Sequence, residues 1–261
     1  MNDFPKNVSK SDRKYVNILG VRVDSSELVE LLAKIAQKMS SEAKFYIVTP
    51  NPEIILKAQD DPKLLSILNS ADFSIPDGVG LKFAVPSLSV VHGRELMANL
   101  CKMANEKKWK VFLLGGSDGV AELAANKLKI KNLKLKIDYA TGPMLDNEAN
   151  PISEVDVKIQ SDILDKIGII QPDILFVGFG APKQEKWIYK NLSKLKAKCI
   201  MTVGGGIDYI AGVAKLPPAW MEKAGLEWLW RLINEPWRFA RIISAIIIFP
   251  LKVLKSRLNG Y

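Results

Sequence analysis

Polar turns follow several predicted strands of the sequence, and they hold the residue types that could do chemistry. Asp77 lies in the turn Ile75–Gly80, where a carboxylate between Pro and Gly could act as a general base. Pro-Asp-Gly is also a strong turn signal, so a purely structural turn is an alternative. Thr49 and Asn51 follow another strand, although Asn51 before Pro52 equally predicts a capped helix start.

Glycines form three further turns at predicted strand ends, at residues 115–119, 178–180 and 204–206. Glycine lets a ligand approach the backbone closely, and backbone N–H groups at a strand-to-helix turn can bind phosphate. The first turn lacks the G-x-G-x-x-G spacing of a dinucleotide site and is more simply a connection. The other two favour a ligand-facing role. The candidate ligand-binding glycines are Gly78, Gly115, Gly116, Gly180 and Gly205.

Several classes of site are missing from the sequence. His92 is the single histidine and no Cys/His ligand set occurs, so a zinc centre of that kind is excluded. There is no G-x-x-x-x-G-K-[ST] and no D-x-D acidic pair for a metal-bound sugar nucleotide. The sequence therefore offers no recognisable metal or cofactor motif, and we name no metal-binding residue and no cofactor.

The elements that must position these turns alternate along the chain. Short β-rich runs separated by amphipathic stretches predict an α/β fold, a Rossmann-like, mostly parallel sheet with helices on both faces. The predicted strands are Tyr15–Ile18, Lys44–Thr49, Phe73–Ile75, Lys110–Leu114, Leu133–Asp138, Ile174–Phe179 and Lys198–Val203. The predicted helices are Ser26–Met39, Pro52–Gln59, Pro62–Ala71, Arg94–Lys108, Gly119–Lys131, Gln160–Ile169 and Lys183–Leu195.

Composition divides the chain into a flexible N-terminal arm at residues 1–14, a core at 15–215 and a basic C-terminal segment at 216–261. The net charge of +9 favours anionic partners. The lysine run at 127–136 has no interleaved aromatic residues for base stacking, so we predict no nucleic-acid partner. The cysteines show no pairing motif and the N-terminus no apolar signal, which predicts a cytoplasmic protein.

The C-terminal segment differs from the rest of the chain. It holds four of the six tryptophans, and basic residues outnumber acidic ones between Arg231 and Arg257. Tryptophan and basic residues favour an anionic membrane surface, so we predict a helical segment attached peripherally to the inner face of the plasma membrane. The alternative is that Ile242–Leu251 packs into the domain or into a homo-oligomer interface.

The motifs together resemble the WecG/TagA/CpsF family of bacterial glycosyltransferases, over residues 16–241. Their order and spacing are more specific than any single motif. The landmarks are Thr49-Pro50-Asn51, Pro76-Asp77-Gly78-Val79-Gly80, Pro182-Lys183-Gln184-Glu185, Asp208-Tyr209-Ile210-Ala211-Gly212, Glu227-Trp228 with Arg231, and Glu235-Pro236-Trp237-Arg238 with Arg241.

This resemblance implies an inverting reaction that needs no metal. An N-acetylmannosamine-type sugar would pass from a UDP donor to an undecaprenyl-diphosphate-linked N-acetylglucosamine, in the synthesis of teichoic acid, common antigen or exopolysaccharide. The family's base falls on Asp77, and its pocket positions fall on Thr49 and Asn51. Positions near the donor fall on Gln184 and Asp208. The arginines expected to reach over the pocket are Arg231, Arg238 and Arg241.

The chain departs from the family pattern at Val90 and Leu216, where the family usually has arginines. Arg94, His92 or Lys215 could supply the charge, and the donor could be another UDP-hexose. Two further hypotheses follow from the sequence. A dinucleotide-dependent oxidoreductase is suggested by the 115–119 turn and Asp138, and a non-catalytic membrane adaptor would explain the two departures.

Overall fold

A computed structural model describes residues 15–41 and 43–259, so the predicted arm at residues 1–14 lies outside the described residues. The first half alternates short strands with helices, as the sequence predicts. Its elements are β1 (Tyr15–Ile18), β2 (Val21–Asp24), α1 (Leu28–Met39), β3 (Phe45–Val48), α2 (Pro52–Gln59), α3 (Pro62–Ser70), β4 (Phe73–Ser74), a 3-10 turn (Val79–Phe83), α4 (Gly93–Lys107), β5 (Lys110–Gly115) and α5 (Val120–Lys131).

The second half completes the sheet and then becomes wholly helical. Its first elements are β6 (Lys136–Ala140), α6 (Glu154–Ile170), β7 (Ile174–Gly178), α7 (Lys183–Asn191), β8 (Cys199–Thr202) and α8 (Gly206–Ala211). The C-terminal segment holds α9 (Ala219–Lys223), α10 (Glu227–Asn234), a 3-10 turn (Pro236–Arg238), α11 (Phe239–Ile243), a π-helical turn (Ser244–Ile248) and α12 (Phe249–Leu258).

The main sheet is parallel throughout, with six strands in the order β4-β3-β8-β7-β5-β6. The α/β prediction is therefore confirmed. Strand β1 does not join this sheet, because it pairs antiparallel with β2 in a separate two-stranded ribbon. The ribbon packs beside the sheet edge, where the buried Asp24 accepts a hydrogen bond from the Ser74 backbone N–H of β4.

The sheet is covered on both faces, which explains its continuous apolar strands. Leu175 and Val177 of β7 pack in one core cluster with helices α2, α3, α6 and α7, while Ile174 and Phe176 pack in the other with α1, α4, α5 and α8. Successive side chains of a strand point to opposite faces, so both sets must be apolar. The arrangement is a doubly wound α/β sheet.

Three elements differ from the sequence prediction by more than two residues at one end, and one of them is α7, which ends at Asn191 rather than at Leu195. Strand β6 is Lys136–Ala140 rather than Leu133–Asp138, because its register pairs Lys136 with Lys110 and leaves Leu133 90% exposed. Helix α6 begins at Glu154 rather than at Gln160, because Ser153 caps it by accepting a hydrogen bond from the Asp156 N–H. Strand β2 and helix α8 have no counterpart in the prediction.

The C-terminal segment has both buried and exposed apolar side chains. Phe249 is 0% exposed and joins Val253 in the core cluster against α2. Other apolar side chains of the same stretch are exposed, namely Phe239, Ile247, Ile248, Leu251, Leu254 and Leu258. Within the described residues, no helix has the length and apolar character needed to cross a membrane.

The buried position of Phe249 predicts that α12 stabilises the whole fold. Phe249→Ala should lower the free energy of unfolding by about 3–5 kcal/mol, since it removes a buried ring and leaves a cavity. Leu258→Ala, at a side chain 87% exposed in the same helix, should change it by less than about 0.5 kcal/mol. Urea denaturation of both variants measures the difference. Equal stabilities would show that α12 does not pack on the core.

Candidate active site

A cavity of about 1190 Å³ opens at the carboxyl ends of the parallel strands. This edge is where open α/β sheets bind their ligands. Every strand of the main sheet sends the turn that follows it into the cavity wall. The lining residues of those turns include Thr49 after β3, Asp77 after β4, Gly116 after β5, Thr141 after β6, Phe179 after β7 and Val203 after β8.

Most of the residues predicted from the sequence line this one cavity. They come from both the sheet turns and the C-terminal segment, so the fold brings together positions far apart in the chain. The predicted residues in the lining are Thr49, Asn51, Asp77, Gly116, Gly180, Gln184, Gly205, Asp208, Arg231, Arg238 and Arg241. Gly78 and Gly115 are not among the lining residues.

Gly115 serves the packing of strands rather than the cavity wall. It has a φ of +124°, and a Cβ built on it would lie 2.5 Å from the carbonyl oxygen of Gly178 on the neighbouring strand β7. A Cβ on Gly178 would in turn lie 2.8 Å from the carbonyl oxygen of Gly204. The ends of β5, β7 and β8 therefore approach one another too closely for side chains. Gly78 has a φ of +96° and opens the 3-10 turn after Asp77.

Thr49 and Asn51 hold the turn after β3. The Asn51 side chain accepts a hydrogen bond from the Ile54 N–H at 3.0 Å and caps α2, with Pro52 in the first turn. The Thr49 hydroxyl donates to the carbonyl oxygen of Thr202 at 3.4 Å. The capped helix start is confirmed, and the capping residue also lines the cavity.

Asp77 is held by its backbone and by one carboxylate oxygen. Its N–H donates to the carbonyl oxygen of Pro50 at 3.0 Å, and its Oδ1 accepts from the Gly93 N–H at 3.4 Å. The Nδ1 atom of His92 lies 3.5 Å from the same Oδ1. The carboxylate is partly exposed in the cavity, with about a third of its side chain, 32%, accessible.

Gln184 joins two of the glycine turns. Its Oε1 accepts a hydrogen bond from the Gly204 N–H at 3.0 Å, and its Nε2 donates to Oε1 of Glu185 at 2.8 Å. Gly180 and Gly204 have positive φ angles, and an added Cβ on either would meet no atom within 4 Å. These glycines therefore leave open space beside the backbone, unlike Gly115.

Two acidic groups near these turns have raised pKa values. Burial raises the pKa of Glu185 to about 7, against the lowering effect of the Gln184 hydrogen bond, so its neutral form is favoured below that pH. Burial also raises the pKa of Asp208 above its ordinary value, although the charge of Arg238 acts against this. Both groups beside the turns at residues 178–180 and 204–206 are therefore protonated more readily than in water.

The three predicted arginines of the C-terminal segment each pair with a carboxylate. Arg231 bonds to Glu227 at 2.8 Å, and Arg238 contacts Glu235. These pairs hold the guanidinium groups in the cavity wall. Each guanidinium has five N–H donors, so the ion pair leaves some of them available to a ligand.

The third arginine, Arg241, ties α11 to α2 through Glu53. Its Nε donates to both Glu53 carboxylate oxygens, at 3.0 and 2.9 Å. Burial raises the pKa of Glu53, but its hydrogen bond with Lys57 and the charge of Arg241 outweigh this and leave the pKa below its ordinary value. Glu53 therefore stays ionised near neutral pH and anchors the C-terminal segment to the core.

An ionic cluster between α4 and the C-terminal segment was not predicted from the sequence. Arg94 pairs with Glu222 and with Glu227, the latter at 3.0 Å. Arg94 and Arg231 both lie over the ring of Tyr209, at 5.5 and 5.6 Å from its centroid. Arg94 had a signal as a possible replacement for the arginine missing at Val90, and Tyr209, Glu227 and Arg231 are family landmarks, whereas Glu222 had no signal. No spacing in the sequence links α4 to Glu222.

The same cluster contains the one group of described residues that could offer three metal ligands. Atoms of His92, Glu222 and Glu227 lie within 4.8 Å of one another. Both carboxylates already pair with the Arg94 guanidinium, which brings positive charge to the place where a cation would bind. The donor set therefore fits an ionic cluster better than a metal ion.

The dinucleotide hypothesis finds no support in this geometry. It needs Asp138 to reach a ribose beside the 115–119 turn. Asp138 instead pairs with Lys166 at 2.6 Å and is not among the cavity-lining residues. The carboxylate expected to select the cofactor is thus directed to another partner.

A doubly wound sheet with a polar, arginine-rich cavity at its carboxyl edge is the architecture of an α/β enzyme. The chain belongs to the glycosyl transferase WecG/TagA/CpsF family, whose sequence model matches residues 16–261. It is a glycosyltransferase, and the hypotheses of an oxidoreductase and of a non-catalytic adaptor are set aside.

Two curated relatives are similar to the chain along almost its whole length. A protein of Staphylococcus aureus strain MRSA252 is 29% identical over 255 residues, covering 95% of each chain. One from strain MW2 is 28% identical over the same length and coverage. Both are named N-acetylglucosaminyldiphosphoundecaprenol N-acetyl-beta-D-mannosaminyltransferase.

The close approach of the strand ends predicts that Gly178 cannot accept a side chain. Gly178→Ala should lower the free energy of unfolding by about 1–3 kcal/mol, because its Cβ would press on the Gly204 carbonyl oxygen and on Ile207. Gly168→Ala is the matched control, since Gly168 lies inside α6 and a Cβ added there would meet no atom within 4 Å outside its own helical turn. This substitution should raise the free energy of unfolding by about 0.5–1 kcal/mol. Denaturation of both variants tests this, and equal shifts would contradict it.

Proposed function

We propose that the chain transfers an N-acetylmannosamine-type sugar from a UDP donor to an undecaprenyl-diphosphate-linked N-acetylglucosamine, with inversion and without a metal ion. The acceptor and the sugar are those in the names of the staphylococcal relatives. The product would enter a bacterial cell-surface polysaccharide. The observation that carries the proposal is a carboxylate, Asp77, held in one cavity with four arginines, three of which belong to the C-terminal segment.

Asp77 would be the general base. It would take the proton from the attacking hydroxyl of the acceptor as the new glycosidic bond forms on the face opposite the departing UDP. Its contacts with the N–H of Gly93 and with His92 both use Oδ1. These contacts support a carboxylate whose other oxygen is available to a substrate.

The arginines would stabilise the leaving group. Charge grows on the diphosphate as the sugar departs, and guanidinium groups bind phosphate oxygens in bidentate fashion. Arg231 and Arg241 are fixed by ion pairs with Glu227 and Glu53, so they need not reorganise during the reaction. Preorganised donors of this kind supply the positive charge that other transferases take from a metal.

The open glycine turns would receive the donor. Gly180 and Gly204 leave space beside exposed backbone, and Gln184 and Asp208 lie next to them in the lining. The cavity of about 1190 Å³ exceeds the roughly 300–1,000 Å³ of a pocket for one small ligand. This size suits a site that takes a nucleotide sugar and the head of a second substrate.

The two departures from the family pattern are offset by nearby cations. Val90 does not line the cavity, whereas Arg94, on the following helix, does. Lys215 also lines it, next to Leu216. A positive charge is therefore present near each position. Because Arg94 does not occupy the family's arginine position, other UDP-hexoses should be tested alongside the N-acetylmannosamine donor.

The test is a set of transfer assays with UDP-sugars and a short-chain lipid-diphosphate-N-acetylglucosamine acceptor, read by UDP release and product mass. Asp77→Asn should lower kcat by at least about 100-fold, since the amide cannot accept the proton. Asp165→Asn, at an exposed carboxylate of α6, should leave kcat unchanged. Near-normal activity of Asp77→Asn would contradict the assignment of Asp77 as the general base.

We also propose that the C-terminal segment holds the enzyme at an anionic membrane surface. Ile247, Ile248, Leu251 and Leu254 are exposed on the stretch whose opposite side packs on the core. Lys255 follows them and would meet lipid phosphates, whereas Arg257 donates to the carbonyl oxygen of Ala84 at 2.7 Å. Attachment would place the cavity beside a lipid-linked acceptor. It would also mean that part of the predicted Ile242–Leu251 run packs inward while the rest meets lipid.

A single substitution tests the membrane surface without removing the core contacts of Phe249. Leu251→Glu should weaken binding to vesicles containing phosphatidylglycerol by about tenfold or more, because burial of a leucine contributes about 1.5–3 kcal/mol. Ile169→Glu is the matched control, at an apolar side chain 83% exposed on α6. Flotation of both variants measures binding, and equal binding would count against this surface.

A further inference from the structure

His92 lies between the catalytic core and the C-terminal segment. Its Nδ1 is 3.5 Å from Oδ1 of Asp77, and its Nε2 is 3.5 Å from Oε1 of Glu222 on α9. Glu227 of α10 lies 4.0 Å from Nδ1 on the same side as Asp77. The ring is largely buried, with 17% of the side chain exposed. The contacts connect the proposed base to a helix more than a hundred residues away in sequence.

Both ring nitrogens face carboxylates, and this fixes the favourable protonation state. Neutral imidazole has one N–H and one lone pair, so one of its nitrogens would repel the carboxylate it faces. The imidazolium form has an N–H on each nitrogen and satisfies both contacts. The hydrogen bond to Asp77 raises the pKa of His92 above its ordinary value, although burial and the charge of Arg94 act in the opposite direction.

We propose that His92, as an imidazolium, is a positioning residue that holds Oδ1 of Asp77 so that Oδ2 meets the acceptor hydroxyl, and that Glu222 holds His92 in turn. This inference rests on the proposed function of Asp77. The acceptor proton passes to Oδ2 of Asp77 while the acceptor oxygen bonds to the anomeric carbon. The bond from that carbon to the donor phosphate breaks, its electron pair leaves with UDP, and His92 keeps its protons throughout.

The proposal gives the reaction a particular dependence on pH. Because the folded pKa of His92 is raised, the imidazolium persists below that pKa and is lost as the pH rises through it. The value of kcat should therefore fall on the alkaline side as the contact with Glu222 is lost. The charged groups facing the ring are Asp77 after β4, Arg94 on α4, Glu222 on α9 and Glu227 on α10.

The experiment uses His92→Asn and His92→Ala in the full chain, with kcat and KM measured across pH. The asparagine amide keeps a donor near the Nδ1 position but cannot titrate. His92→Ala should lower kcat by about 10- to 100-fold with the donor KM within about twofold, since the base is misplaced rather than removed. His92→Asn should recover part of kcat and should lack the alkaline decline of the wild type.

Glu222→Gln tests the second link. It should move the alkaline decline to lower pH, because the carboxylate that favours the imidazolium is gone. Glu106→Gln, at an exposed position of α4, is the matched control and should leave the profile unchanged.

Three outcomes would overturn the positioning role. They are an unchanged kcat in His92→Ala, a wild-type alkaline decline in His92→Asn, or a profile of Glu222→Gln identical to that of the wild type. Thermal melting of each variant identifies loss of folding, and His92→Asn still carries the pH test if His92→Ala does not fold. Failure of the proposed function is distinguished by Asp77→Asn, which would then retain activity whatever the His92 variants do.

Discussion

All strands of the main sheet run in the same direction, and the rest of the molecule depends on that constraint. Parallel strands end at one edge, so the turns after β3, β4, β5, β6, β7 and β8 meet in one place. The approach of Gly115, Gly178 and Gly204 sets how closely those ends can lie. Because the strand ends lie close together, the turns that follow them form one wall of the cavity. The C-terminal segment then closes the wall from the other side.

The C-terminal segment depends on the sheet for its own position. Phe249 is buried against α2, and Arg241 bonds to Glu53 at the start of the same helix. Asn51, which caps α2, also lines the cavity. One short helix therefore links the strand turn, the arginine wall and the surface that would meet lipid. A shift of α2 would therefore move all three.

The sequence allows the sheet to be predicted because its strands are continuous apolar runs and its helices have clear caps, as at Asn51. The turns that line the cavity follow from the rule that parallel strands bind ligands at their carboxyl ends. The role of Gly115 could not be predicted, because in a sequence a glycine required by a close neighbouring strand cannot be distinguished from one that admits a ligand. The Arg94–Glu222 pair is equally invisible, because contacts between distant segments leave no periodic trace.

Each arginine of the cavity wall already shares its charge with a carboxylate of the protein. A nucleoside diphosphate bound by the remaining guanidinium N–H groups would therefore share that charge with anions that cannot diffuse away. When the diphosphate departed, the same ion pairs would still balance the charge of the arginines without the help of solvent ions. On the proposed function, the carboxylates would act as built-in counterions that limit how tightly the nucleotide product is retained. An enzyme with bare arginines would bind its product more strongly and turn over more slowly.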